Sequence, residues 1–279
     1  MPEAVLSRGA QTPVLRALGF AFTLFILGYV LVPILVTMVM SFNDAAMIRF
    51  PVTSWSLRWY ADFFGSEQWT DALANSIIIA IGTAVISTVS GVLCAWAFQR
   101  FHIPGRDAWY ILIMLPLFMP GVVLGLGVAI AFGGLSVGDY ALYGSRPLVM
   151  IAHSLWAMPL VFMLMEATFK TIDYRVVEAS YDLGGGPVRT FFEVVLPMVS
   201  TGLVSSLLFA FVISLNEFVM ALFLTDRDSQ TLPVLMWLSL RSAGTPRLAV
   251  ASVILALTVF LCLSLIMLWY VRQLRKVSR

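Results

Sequence analysis

Apolar and polar positions along this chain are grouped in blocks rather than alternating singly. Six apolar blocks run roughly Ala17–Met40, Ala72–Phe98, Ala108–Phe132, Pro147–Phe169, Leu196–Leu224 and Leu248–Val271. A helix that crosses a bilayer needs about 20 mostly apolar residues, and each block meets that length. The pattern predicts an all-α integral membrane protein with six transmembrane helices in one domain, 1–279. No internal repeat, low-complexity tract or flexible linker divides it. The first block is too long for the apolar region of a signal peptide, and no small-residue cleavage site follows it closely. It is expected to remain as a span.

Composition supports the membrane assignment. Of the 279 residues 60% are hydrophobic and only 11% are charged, against about 25% charged in a soluble domain. The mean hydropathy is +0.94. A net charge of +2 is too small to suggest a nucleic-acid partner. Cys94 and Cys262 both lie inside apolar blocks, outside any CxxC or metal-ligand spacing, and read as small core hydrophobes.

The distribution of basic residues sets an orientation. One side carries Arg8, Arg16, Arg100, Arg106, Lys170, Arg175, Arg189, Arg272, Arg275, Lys276 and Arg279; the other carries Arg49, Arg58, Arg146, Arg227, Arg241 and Arg247. The richer side is expected to be cytoplasmic, which places both termini inside. Ser180 would then be shielded from the outside and Ser229 open to it. Among the outer loops, "SWSLRWYADFF" carries Trp55, Trp59, Tyr60, Phe63 and Phe64. Such aromatics suit a helix lying in the membrane interface as an anchor, with a docking surface for an external partner as the alternative.

One polar interruption stands out, between blocks four and five. Glu178, Asp182, Arg189 and Glu193 sit here with three consecutive glycines and Pro187. Asp173 is placed to cap a helix running to Leu183, and Gly184 follows where a left-handed residue is needed. Gly186-Pro187 reads as a second helix start, with proline where its missing N–H does no harm. Pro197 is expected to open span five. The predicted product, over 173–195, is two short helices meeting at a glycine corner. A lipid-resting helix would carry a basic face with bulky apolar anchors. The mixed charge here fits a rigid knob inserted into the groove of another protein.

The stretch "EASYDLGGGPVRTFFEVVLP", 178–197, resembles the EAA loop of permease subunits in binding-protein-dependent ABC importers, E-A-A-x3-G-x9-I-x-L-P. Glu178, Ala179, Gly184, Leu196 and Pro197 match at the required spacing; Ser180 replaces a small residue and Val194 an isoleucine. "SLRWYADFF" with "NSIIIAIGTAVIS", "LPLFMPGVVLGLG" and "HSLWAMPLVF" resemble the same class. "SLNEFVMALFLT" and "TLPVLMW" look most like its spermidine/putrescine branch, which usually carries an acidic pair where this chain has Asn216 and Glu217.

The resemblance implies a MetI-like fold, with spans two to six as a core behind an extra span one. It implies a second permease subunit as partner, two ATPase subunits below, and an extracytoplasmic solute-binding protein that delivers cargo. Glu178, Ala179, Ser180, Asp182 and Gly184 would then form the ATPase-coupling surface. The chain's own residues agree with that division of labour. A P-loop needs a lysine in a glycine-rich loop to reach nucleotide phosphates. The only lysines are Lys170 and Lys276, in no such loop. The chain is therefore expected to be no enzyme and to hold no cofactor, with ATP-Mg bound by the partner ATPases.

A charged side chain at the bilayer centre costs about 2.5–3.5 kcal/mol on insertion scales, so each needs a reason. Glu166 has one in Lys170, four residues on. Trp96 and the glycines of "PGVVLGLG" are read as packing residues. His153, with Trp156 on the following turn, is a candidate for the substrate pathway, although a histidine bonded within the core is the commoner arrangement. Glu217, beside Asn216, has three possible settings: an arginine of another subunit, a structural hydrogen bond, or a water-filled substrate cavity. The cavity is the favoured expectation. The function expected is a permease of an ATP-driven importer for a small organic solute, a polyamine or related amine, in the bacterial inner membrane. The rival is a self-sufficient secondary transporter with Glu217 as a proton or cation relay, against which the absence of inverted repeats weighs.

Overall fold

The computed structural model describes residues 13–242 and 244–277. Arg8 and Arg279, counted above in the orientation, lie outside them.

The chain is helical almost throughout. α1 (Pro13–Met40), α3 (Glu67–Arg100), α6 (Arg146–Phe169) and α13 (Arg247–Val277) are long, and each has a stretch apolar enough to cross a membrane. Two bent pairs raise the possible number of spans to six. The core is α3, α6 and α10 (Ser200–Asn216), packed through Ala84, Ala95, Val161, Phe162, Met165 and Leu215. Small residues set the distance between α3 and α6. A Cβ on Gly91 would lie 2.7 Å from Val161 Cγ1 and 3.1 Å from the Phe162 backbone nitrogen, so the helices meet backbone to side chain. α1 carries its apolar side chains outward, Phe20, Phe22, Phe25 and Tyr29 among them.

Block three is not a straight span. It divides into α4 (Arg106–Phe118) and α5 (Gly121–Phe132), set at 103°. At 1.5 Å per residue these are only about 20 and 18 Å long, each short of the roughly 30 Å of a hydrocarbon core. The break has a covalent cause. Pro120 has no N–H to give the Pro116 carbonyl, and its ring disfavours the helical path. Met119 N takes that carbonyl at 3.2 Å, and the Trp156 indole N–H donates to it from α6 at 2.8 Å.

Block five also departs from expectation. Pro197 does not open the span: the helical run Pro187–Met198 ends first, then turns 78° into α10. Within that run a π-helical turn, Phe191–Val195, joins α8 (Pro187–Thr190) to α9 (Leu196–Met198). Leu196 N bonds to Phe191 O, five residues back. Such wider turns let a helix absorb a proline that cannot complete its ladder. α10 then breaks again at Glu217 before α11 (Val219–Leu224).

The aromatic segment is divided between a buried side and an exposed one. Trp59 and Phe63 of α2 (Arg58–Phe64) are buried with Trp69 against α12 (Leu232–Ser242) and the start of α13. Asp62 pairs with Arg247, whose guanidinium lies 5.4 Å from the Trp69 ring. Only Trp55 and Phe64 of the set remain largely exposed. Their neighbours alternate around a helix, so half of the aromatic run was free to turn inward.

Candidate functional site: the coupling corner and the α10–α11 break

The segment 173–195 folds as the sequence predicts. Asp173 Oδ1 accepts from Arg175 N at 3.1 Å at the start of α7 (Tyr174–Asp182). Gly184 has φ +85°, the left-handed geometry that reverses the chain at low cost only for glycine. Gly186 is extended and leads into Pro187. Gly185 serves differently: a Cβ there would sit 2.7 Å from the Ser180 carbonyl oxygen, to which Gly185 N donates at 2.9 Å. Across the corner Ser180 Oγ lies 2.9 Å from Thr190 Oγ1.

One face of the corner is anchored and the other is free. Val177, Thr190 and Val195 are buried. Trp96 of α3 packs between Phe169 and Phe191, with ring centroids 5.4 and 5.5 Å away, and Arg100 lies 5.5 Å from the Tyr181 ring. The outward face presents Glu178, Ala179, Asp182 and Gly184 to solvent. Glu178 and Asp182 have no ion-pair partner among the described residues. The sequence reading missed the apolar part of this face: Leu183 is 89% exposed, Val188 70% and Phe192 60%. Their signal was present, since bulky apolar residues flank the glycines where a solvated loop would carry polar ones.

Glu166 meets Lys170 at 3.0 Å as expected, and Arg106 of α4 joins at 3.6 Å.

Glu217 does not face a cavity. Its side chain is 2% exposed, with Oε1 accepting from Met220 N at 2.9 Å and Oε2 from Ala221 N at 3.1 Å. These are unsatisfied N–H groups of the first turn of α11, where the helix dipole also favours an anion. Oε2 lies 3.1 Å from His153 Nε2 on α6, and His153 Nδ1 is 2.8 Å from Ser214 Oγ on α10. The favoured expectation of a water-filled setting gives way to a structural one. His153 is likewise fully buried. The partners stand 64 residues apart, so no sequence spacing joined them. Trp156, the other pathway candidate on α6, is occupied with the α4–α5 break described above. Asn216 alone of the four is exposed. It borders a depression of about 370 Å³ with Pro233, Met236 and Ser252.

The ends of α3 and α6 away from the 173–195 corner are tied to α12 by a second polar set. Asn75 Nδ2 donates to the carbonyls of Asp228 (2.8 Å) and Gln230 (3.1 Å), and Arg146 Nε donates to its Oδ1 at 2.7 Å. Ser76 Oγ accepts from Leu232 N at 2.7 Å, capping α12. Ser229 is buried and bonded to Asp226, so it is not the open position expected of an outer loop.

Broken apolar helices around a small-residue core, with an anchored and half-exposed polar corner on one side, define a helical membrane protein. The chain belongs to the family of binding-protein-dependent transport system inner membrane components, whose family model matches residues 87–279. It is 30% identical over 246 residues to the putrescine transport system permease protein PotI of Escherichia coli (strain K12), covering 87% of this chain and 84% of that one. It is 26% identical to the spermidine/putrescine permease PotC of Haemophilus influenzae, covering 86% and 92%. The diacetylchitobiose uptake permease NgcG of Streptomyces coelicolor is 28% identical over 81% of this chain and 76% of its own. Among solved structures, a bacterial ABC transporter that imports alginate matches with a TM-score of 0.73 at 16% identity, over 95% of this chain and 96% of that one. The MetNI methionine transporter matches with a TM-score of 0.55 at 17% identity, covering 77% and 100%. The MetI-like fold expected from the sequence is thus the observed one.

Proposed function

We propose that this chain is the permease subunit of an ATP-driven importer that moves a polyamine or related amine across the bacterial inner membrane. The observation that supports the coupling half of the reading most directly is the free face of the corner. A buried face fixes its angle, while Glu178, Ala179, Asp182 and the apolar Leu183 stand uncovered. Such a surface suits insertion into a groove of a separate ATPase, which would hold ATP and Mg. Ser180 and Gly184 shape the knob. A second permease, two ATPase subunits and an extracytoplasmic solute-binding protein complete the assembly, with both termini cytoplasmic. The cargo class rests on the putrescine and spermidine/putrescine permeases among the relatives.

A self-sufficient transporter using Glu217 as a relay finds no support in the geometry, because both carboxylate oxygens are held by backbone N–H groups. The test is uptake by proteoliposomes containing the whole assembly and its loaded binding protein. Labelled putrescine and spermidine are expected to enter only with ATP inside the ATPase compartment, and a neutral disaccharide is not. Uptake without ATP overturns the coupling; entry of the disaccharide in place of both amines overturns the cargo.

A further inference from the structure

A carboxylate that binds passing cargo needs a free oxygen on an open wall. Glu217 has neither. Its two oxygens are divided between Met220 N and Ala221 N, and His153 Nε2 stands 3.1 Å from one of them. The other ring nitrogen of His153 reaches back to Ser214, one turn before the break in α10. His153 from α6 and Ser214 from α10 are therefore linked to Glu217, the extended residue of the two that separate α10 from α11.

We propose that Glu217, His153 and Ser214 form a positioning clamp that fixes the angle of the α10–α11 break, and that the group the break presents to cargo is the Asn216 carboxamide. The clamp follows from the geometry alone. The role of Asn216 rests on the importer reading above.

The chemistry of the clamp is specific to a carboxylate. Glu217 meets two backbone donors with two acceptors. A glutamine has one acceptor oxygen and one NH2, so one of the two N–H groups would face another donor. Charge also counts, since an anion at a helix start is favoured and hydrogen bonds to ionised groups are the stronger ones. His153, fully buried itself, covers the opposite side of the carboxylate with Nε2 3.1 Å from Oε2. With the carboxylate turned inward, the neighbouring residue faces out. Asn216 Nδ2 donates to Val212 O at 2.8 Å, and its carbonyl oxygen has no partner among the described residues. The depression of about 370 Å³ beside it is lined also by Ser252, Met236 and Pro233. On this wall a cation would meet a carbonyl dipole and not a fixed charge.

The experiment uses the full-length permease with Cys94 and Cys262 replaced by alanine and one reporter cysteine. Met220→Cys reports on the break, where Met220 is 0% exposed; Ala84→Cys, 3% exposed, reports on the distant core. Glu217→Gln is expected to speed thiol labelling at position 220 by about tenfold or more while leaving position 84 unchanged. Ser214→Ala removes only the Nδ1 partner and should act in the same direction to a smaller extent, which keeps the test available if Glu217→Gln fails to assemble. Equal acceleration at both reporters means general loosening and overturns the clamp, as does no acceleration at position 220. The second arm is uptake by the whole complex. Glu217→Gln should lower the maximal rate for a diamine and a monoamine by the same factor with KM unchanged, whereas Asn216→Asp should shift the diamine-to-monoamine ratio several-fold toward the diamine. A changed ratio with Glu217→Gln overturns the assignment, and an unchanged ratio with Asn216→Asp removes Asn216 from the path. If the unmutated complex imports neither amine, the cargo reading fails by itself, and the two reporters still decide the clamp.

Discussion

Ser180 Oγ and Thr190 Oγ1 lie 2.9 Å apart and join the two arms of the corner across Gly184, Gly185 and Gly186. Thr190 is almost fully buried, so this bond works away from most of the competing water. A hydroxyl pair of this kind contributes about 0.5–1.5 kcal/mol. Ser180→Ala and Thr190→Ala are each expected to weaken retention of the ATPase during purification by about three- to tenfold in affinity. The double variant should be no worse than the weaker single one, because both remove the same bond. Additive losses would show that the hydroxyls act separately.

The three glycines answer to different constraints, and substitution separates them. Gly184→Val meets open space but must hold φ +85°, at a cost of about 1–2 kcal/mol for an L-residue. Gly185→Ala would push a Cβ within 2.7 Å of the Ser180 carbonyl. Gly186→Ala finds both open space and an ordinary extended backbone. Uptake and ATPase co-purification are expected to fall for the first two and to stay near the unmutated level for Gly186→Ala. Loss at Gly186 alone would mean that the corner is read by its partner and not fixed by its own backbone.

Gly91 tests the packing of the core. Its missing Cβ is what admits Val161 and the Phe162 backbone. Gly91→Leu should force α3 and α6 apart and lower stability by about 1–3 kcal/mol, the usual range for overpacking. Thermal unfolding of the detergent-solubilised permease reads this directly. Gly127→Leu, at a position with nothing within 4 Å, serves as the control and should unfold near the parent temperature.

The corner was legible because its determinants are local. A cap at Asp173, a left-handed glycine at 184 and a proline at 187 each act within a few residues, and their spacing matched a known motif. The long blocks were legible for a similar reason, since length and apolarity alone decide them. The breaks were harder. Pro120 and Pro197 were visible, but a proline inside an apolar block says only that the ladder loses a bond. Whether the helix kinks, widens into a π turn or turns through 103° depends on what takes up the freed carbonyl, here the indole of Trp156. The Glu217 setting was wholly non-local. A glutamate in an apolar block announces that some partner exists, and nothing between residues 153 and 217 says which.

Orientation gives the last test, and the structure changes where it should be made. The basic residues predict the corner inside and the 225–231 loop outside, but Ser180 is half-buried and Ser229 buried. Reporters at those positions would confuse burial with membrane side. Glu178 and Arg227 are both exposed, so Glu178→Cys and Arg227→Cys, each with Cys94 and Cys262 replaced by alanine, isolate the topology. In intact spheroplasts an impermeant maleimide is expected to label position 227 and to spare position 178. In inside-out vesicles the pattern should reverse, with one further condition. Position 178 should label freely only when the ATPase is absent, because the docked subunit would cover it. Labelling at 178 from outside the cell inverts the orientation. Labelling at 178 in inside-out vesicles that does not depend on the ATPase leaves the orientation intact and removes the corner from the coupling interface.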